Sequence, residues 1–329
     1  MLTKVQYDYL KHDKVLPGVW DTIVKESPMI QRLSFMEVGN DIVKYNVETS
    51  MPTVSWLDQT GAVSENTGTF EQRTTNVYTL GGDADTNKAF IKMNPLQNPE
   101  TNDIEAKSKA MAHSFEYTLV NGQTTAQSNS NEFKGLMRII AELESSSTTD
   151  LDAANNSQVI AESATTGALE MVSMDALIDQ IRPGKPDALL MGRRARRKLN
   201  VLARASGSSG LGLMELKDYG MFVETYDGIP LFINDWIPEN IADGASSIAT
   251  ISAINANTAR ADGYDNTVIF AMKIGENDVT GLQAGGMTHE RETFIEGFNV
   301  IRNRFTWNVS AMCKKKYSLA CLINMNPDD

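Results

Sequence analysis

The chain has 329 residues, 41% of them hydrophobic and 22% charged, and its 42 Asp and Glu against 30 Lys and Arg leave a formal net charge of -12. That composition suits a globular chain of two domains, able to bury a core without metal or disulfide help. The acidity argues against a dedicated nucleic-acid binder, because such proteins draw most of their affinity from neutralised phosphates. No apolar run is long enough to span a bilayer. The start, "MLTKVQYDYLKHDK", lacks the apolar stretch of a signal peptide, so synthesis in a reducing cytoplasm is expected. Cys313 and Cys321 agree with this: eight residues put them ~27 Å apart on a strand or ~12 Å apart on a helix, too far for a disulfide.

The first segment is polar and aromatic, with Tyr7, Tyr9 and Trp20 among lysines and aspartates, and reads as an arm. After Pro17 and Gly18, Val19, Ile23 and Val24 predict a short helix stopped by Pro28. Val43, Tyr45 and Val47 then alternate with Lys44, Asn46 and Glu48 as in a half-buried strand. From Pro52 to Met93 the large apolar residues are isolated, at Trp56, Phe70, Tyr78, Phe90 and Ile91. This predicts a long two-stranded ribbon, which buries too little to be stable by itself in water. It needs a surface to lie on, and a neighbouring subunit is the natural candidate.

The clearest helix follows. Asn102 and Glu105 are spaced as a capping box, with Pro99 upstream and Asn121-Gly122 as a stop. Between them Ile104, Ser108, Met111, Phe115 and Leu119 share one stripe, opposite Glu105, Lys109, His113 and Glu116. About twenty residues of helix span ~30 Å. After a polar loop, "FKGLMRII" and the loose "ESSSTTDLDAANNSQ", the residues Met174, Leu177, Ile178 and Ile181 mark a second helix ended by Pro183-Gly184. "DALLM" reads as a buried strand, Arg193 to Ala205 as a third helix, and "GIPLFIND", "TVIFAMKI" and "FNVIRNRFTWNVSAM" as strands. The last alternates Val300, Arg302 and Arg304 against Ile301, Phe305 and Trp307.

The third helix carries "GRRARRKL". At 100° per residue Ala195, Leu199 and Leu202 share one face, while Arg193, Arg194, Arg197, Lys198 and Arg204 occupy the other. This is a solvated face, its cations available to acids of a neighbouring subunit, rather than a sequence-specific nucleic-acid element; no aromatic residue interleaves with them. Catalytic motifs are missing: no phosphate loop, no nucleophile elbow, three scattered histidines (His12, His113, His289) and no C-x-x-C. "DADTNK" begins like a calcium loop at Asp83, Asp85 and Asn87, but Lys88 stands where glycine is needed and Asn94 where the bidentate Glu belongs, so a plain turn is expected. Glu290 and Glu292 read as solvated charges on an edge strand, not as an acid and base pair. No metal or cofactor is expected.

The order of elements resembles the major capsid proteins of tailed bacteriophages, with their Hong Kong 97-type α+β fold. "VSWLDQTGAVSENTGTFEQRTTNVYTLGGDADTN" is similar to that family's extended loop and the Asn102–Val120 helix to its spine helix. "NGQ" with "FKGLMRI" resembles the glycine-rich segment that follows. "ALEMVSMDALIDQIRPGKPDALLMGRRARRKLNVLARASG" and "YDGIPLFINDWIP" resemble the axial domain, and "FNVIRNRFTWNVSAMCKKKYSLACLINM" the closing strands. The resemblance implies an arm at 1–20, a first part of the peripheral domain at 21–51, the extended loop at 52–95, the spine helix and more peripheral domain at 96–150, the axial domain at 151–284 and closing peripheral strands at 285–329. Residues 241–266 fit the pattern poorly and read as an insertion or surface loop.

By the same resemblance, copies of the chain form pentamers and hexamers of an icosahedral head around double-stranded DNA, in a virion assembled in the host cytoplasm. Its acidity keeps contact with the packaged DNA weak and non-specific. Trp56 and Phe70 in the loop, and Arg193, Arg194 and Arg197 on the axial helix, are the expected assembly contacts. About twenty residues precede Val19, which implies a separate scaffolding protein or none; portal and decoration proteins are further expected partners, and no membrane is. Two alternatives stand beside this reading: the shell of an encapsulin-type bacterial nanocompartment, and an oligomeric enzyme or ligand-binding protein with an unrecognised site.

Overall fold

The computed structural model describes residues 28–59, 61, 65–93, 99–124, 131–144, 151–205, 211–216, 221–244 and 265–328. The expected N-terminal arm, the helix around Val19 to Val24 and most of the 241–266 insertion lie outside the described residues. A short helix, α1 (Pro28–Arg32), leads into β1 (Phe35–Glu37). The alternating stretch that follows is β2 (Ile42–Ser50), with Val43, Tyr45 and Val47 half-buried between exposed neighbours. β2 pairs antiparallel with β3 (Thr69–Asn76), from Ile42 opposite Asn76 to Ser50 opposite Thr69.

This ribbon differs from the expected 52–95 loop at both ends. It is already paired at Ile42, and after Val77 its return strand leaves it to become β4 (Tyr78–Asn87) in the body, followed by α2 (Lys88–Met93). β4 escapes a sequence reading because its inward residues are small: Ala84 and Thr86 are buried, while Asp83 and Asp85 point outward. The "DADTNK" stretch is therefore a strand running into a helix, neither a calcium loop nor a turn.

The spine helix α3 (Pro99–Asn121) starts three residues before Asn102. Proline is tolerated in a first turn, where its missing N–H would have no intrahelical partner. Ile104, Ser108, Met111, Phe115 and Leu119 are buried and Glu105, Lys109 and His113 exposed, as the periodicity requires. Glu116 departs from it. It is 5% exposed and accepts hydrogen bonds from the Met29 N–H at 3.2 Å and from Asn234 Nδ2, donors that compensate its burial. After α3 the chain doubles back tightly: a Cβ on Gly122 would lie 2.2 Å from the Phe133 carbonyl oxygen, and one on Gly135 2.5 Å from the Gly122 nitrogen. The two glycines let this turn close before α4 (Leu136–Glu144) begins.

The rest of the chain supplies β5 (Val159–Ala161), β6 (Gly167–Ala168), α5 (Met171–Asp179), β7 (Ala188–Met191), α6 (Arg193–Ala205), β8 (Leu211–Leu216), β9 (Met221–Tyr226), β10 (Ile229–Ile233), β11 (Thr267–Met272), β12 (Val279–Gln283), β13 (Thr288–Glu292), β14 (Val300–Cys313) and β15 (Leu319–Asn326). Two sheets organise them. A five-stranded sheet has the order β1-β12-β14-β13, with β4 also on β14. An eight-stranded sheet runs β5-β15-β11-β7-β10-β9-β8, with β6 on β15. β12, inside the expected axial segment 151–284, pairs with β14 in the smaller sheet, and β15, inside the expected peripheral segment 285–329, pairs with β11 and β5 in the larger one.

Both faces of the larger sheet are covered, which explains the unbroken apolar run of β7. Ala188 and Leu190 join the main core with Phe115 and Ile140, while Leu189 and Met191 join Met174, Leu177, Ala195 and Leu199 of α5 and α6. In the smaller sheet Trp307 sits under the spine helix, its ring centroid 5.0 Å from that of Phe115, and Phe35 and Phe133 complete the cluster. The first turn of α3 is fastened by Glu100, 2% exposed, which accepts hydrogen bonds from Arg291 Nη2 (3.0 Å) and Asn303 Nδ2 (3.1 Å). Burial works to raise the Glu100 pKa, but the bonds from Arg291 and Asn303 and the Arg291 charge outweigh it and hold the carboxyl below its ordinary value.

Two outcomes are expected. Phe115→Ala costs about 3–5 kcal/mol in urea unfolding of the subunit, the size of a buried aromatic truncation. Because Glu100 is more acidic folded than unfolded, its contribution is complete above the unfolded value of ~4.3 and is lost as pH falls through the folded one. Glu100→Gln is therefore less stable than wild type at pH 7, and its stability falls less steeply below pH ~4 when melting temperature is followed against pH.

Candidate assembly surfaces

Among the described residues, the side-chain hydrogen bonds from the ribbon to the body lie near its root. Tyr45 Oη donates to the Cys313 carbonyl at 3.3 Å, and Arg73 Nη2 donates to the Leu143 carbonyl at 3.2 Å. Between root and body lies a cavity of about 450 Å³ lined by Tyr45, Arg73, Lys134, Glu142 and Cys313. Desolvation there pushes the Tyr45 hydroxyl upward against the lowering effect of Arg73. Beyond the root the ribbon's large apolar side chains are mostly unburied: Val54 is 97% exposed, Trp56 fully exposed and Phe70 73% exposed. A soluble chain that presents such residues together on one projection has an exposed apolar patch of the kind that marks an interaction site.

The basic helix α6 has the bounds its pattern predicts, with Ala195 and Leu199 fully buried and Leu202 packed at the margin. Its arginines, however, find their acids within the chain. Arg193 makes a two-pronged pair with Asp235 (2.5 and 2.8 Å), Arg196 pairs with Glu224, and Arg194 and Arg197 converge on Asp328. Partners expected on a neighbouring subunit are thus supplied by the turn after β10 and by the residues after β15. Arg193 and Arg197 side chains stay 73% and 66% exposed, whereas Arg194 is 14% exposed and belongs to the structure of the subunit.

A further apolar projection has no signature in the sequence. The turn between β13 and β14 is closed by the Phe298 N–H donating to the Ile295 carbonyl (3.2 Å), and it holds Phe294 at 83% and Phe298 at 69% exposure. Two phenylalanines in "ETFIEGFNV" look like strand residues until the turn at Gly297, φ 82°, turns them outward. Groups with chemical potential are occupied structurally. His289 is buried, stacked on Phe305 and 3.1 Å from Asn303 Oδ1. On the outer face Asp83 and Asp85 bind Arg304 and Arg302, whose hydrogen bonds draw both carboxyls below their ordinary value. Glu290 and Glu292 lie on the edge strand β13, Glu292 3.8 Å from Arg304. Cys313 is buried, and burial pushes its thiol up to about 12. Among the described residues no group of three His, Cys, Asp or Glu is placed to hold a metal ion, and no helix is long and apolar enough to cross a membrane.

No protein-family model matches the sequence, and neither does any curated protein. Solved structures do match its shape. The holo-SrpI encapsulin complex of Synechococcus elongatus PCC 7942 superposes with a TM-score of 0.64 at 14% identity, over 92% of this chain and 88% of that one. The capsid of an empty GTA particle gives 0.59 at 13% identity, over 90% and 89%, and a structure of Mycobacterium phage Bobi gives 0.58 at 12% identity, over 90% of each chain. The chain has the α+β Hong Kong 97-type capsid fold that the order of its elements resembles. Removing exposed and buried arginines of α6 is expected to separate their roles: Arg194→Ala lowers the subunit's melting temperature, and Arg193→Ala leaves it unchanged.

Proposed function

We propose that the chain is a major capsid protein, a structural subunit that assembles through copies of itself into the pentamers and hexamers of an icosahedral phage head around double-stranded DNA. The observation that carries this reading is the conjunction of a shell-protein fold over nine-tenths of the chain with a ribbon whose Val54, Trp56 and Phe70 are unburied by their own subunit. Such a ribbon gains its missing apolar contacts when a second copy arrives, and the energy of that burial drives assembly. Phe294 and Phe298 offer a second contact, and the exposed Arg193 and Arg197 a third. A separate scaffolding protein, a portal and decoration proteins are partners in this reading, and contact with the genome is weak because the wall is acidic.

The similarity to an encapsulin supports a second reading, a nanocompartment shell. Electron microscopy of the purified protein and chemical analysis of its contents decide among these and an unrecognised oligomeric enzyme. Closed particles tens of nanometres across with double-stranded DNA are expected; particles filled with protein cargo select the nanocompartment, and small oligomers overturn both. Trp56→Ala is expected to keep the wild-type far-ultraviolet circular dichroism and melting temperature of the unassembled subunit while abolishing closed particles. Unfolding of that variant would place the ribbon in the core.

A further inference from the structure

We propose that the turn joining β14 to β15 receives the ribbon tip of a neighbouring copy, a pairing that rests on the shell-subunit reading and names the surface through which it works. The turn, Lys314-Lys315-Lys316-Tyr317, is the corner where the two sheets meet. Around it the chain is tied tightly: the Arg182 N–H donates to the Tyr317 carbonyl (3.0 Å), the Lys273 N–H to the Ser318 carbonyl (2.8 Å) and the Lys314 N–H to the Asp278 carbonyl (3.2 Å). Lys315 is paired with Asp278 and Lys316 with Glu144. Three more cations on this corner have no carboxylate among the described residues. Arg182 donates to the Asp179 carbonyl, Lys273 to the Pro183 carbonyl, and Lys314 makes no ion pair. Beside them Tyr317 is 42% exposed, with Lys316 Nζ 5.2 Å from its ring centre.

The ribbon tip is the complement. From Met51 to Phe70 it carries Asp58 and Glu65 and no lysine or arginine, together with the exposed Val54, Trp56 and Phe70. Copies that each carry a net charge of -12 repel one another unless cations are placed where they touch. The corner supplies three, enough to face both Asp58 and Glu65, and an aromatic ring for the apolar residues; Glu71 is already held by Arg73 (3.5 Å) near the root. A nucleic-acid phosphate backbone fits less well, since binders of that kind neutralise roughly 6–10 phosphates.

Geometry makes the contact intermolecular. The Tyr45 bond to Cys313 sets the ribbon's root one residue from Lys314. From Tyr45 the strand runs on to Ser50, ~17 Å, and Trp56 lies six residues further. Tip and corner thus occupy opposite ends of the same ribbon. Joining unlike patches of successive copies is a head-to-tail contact, which closes into a ring when the rotation from copy to copy completes a full turn.

Two charge-reversed proteins test this: Arg182→Glu with Lys314→Glu at the corner, and Asp58→Lys with Glu65→Lys at the tip. Each alone is expected to need at least about tenfold more protein to assemble than wild type, by sedimentation and microscopy, because like charges then face each other. A single protein carrying all four reversals is expected to assemble within about threefold of wild type, since each reversed patch then meets its complement in every neighbour, in rings of five as in rings of six; this recovery also shows that neither pair of reversals unfolds the subunit. The neutral Arg182→Gln with Lys314→Gln, at wild-type melting temperature, is expected to fall between. Wild-type assembly by either reversed protein, or failure of the protein with all four reversals, overturns the pairing. So does loss of packaged nucleic acid with assembly unchanged, which assigns the corner to the genome. If wild type itself forms no particles, the shell reading fails before the pairing is reached.

Discussion

The contact between Phe115 and Trp307 is the one on which the rest of the subunit is built. It fixes the spine helix over β14, and β14 touches more of the smaller sheet than any other strand, pairing with β4 along one edge and with β12 and β13 along the other. Trp307, Phe305 and Val309 point inward at every second position, while Arg302 and Arg304 point out towards Asp85 and Asp83. The alternation of one strand therefore decides both which side of the smaller sheet is core and which side is a charged surface. The ribbon departs from the same construction: its return strand becomes β4, so a projection with little core of its own grows from the best-packed part of the molecule.

Much of the charge is settled within the chain. Most arginines of α6 and β14 are neutralised inside their own chain, by Asp235, Asp328, Glu224, Asp83 and Asp85. Except at Arg194, whose side chain is 14% exposed, ion pairs this exposed add little to folding. Their effect is to shape the surface potential, leaving acidic residues such as Asp58 and Glu65 on the ribbon and, among the described residues, Arg182, Lys273 and Lys314 without a carboxylate partner. The buried carboxylates do different work: Glu100 and Glu116 each hold α3 to segments far away in sequence, at Arg291 and Asn303 and at Met29 and Asn234.

Much of this was legible wherever local periodicity carried the information. The exact bounds of α6 follow from its split into apolar and basic faces, and the inward stripe of α3 from 3.6-residue spacing. What escaped was set by pairing across long separations. β15 joins the larger sheet through Cys321 opposite Val159, and β12 the smaller one through Val279 opposite Cys313, and neither strand announces its sheet in its own residues. Glu116 read as an outward charge because its two donors come from elsewhere in the fold. The ribbon was recognisable by its poverty in apolar residues, but its root at Ile42 and its end at Asn76 depend on a register that only the partner strand supplies. The outward pair Phe294 and Phe298 had no signal at all, since a turn and a strand end use the same residues there.

The connection between β14 and β15 is only five residues, Lys314 to Ser318, and it passes directly from one sheet into the other. Tyr45 grips the chain at Cys313, immediately before that crossing. A load applied to the outstretched ribbon is therefore delivered to the central strand of one sheet and, through a short covalent link with no slack, to a strand in the interior of the other. The lever and both plates are thereby joined as one part, so tension on the ribbon is shared by the whole body instead of being absorbed at a hinge.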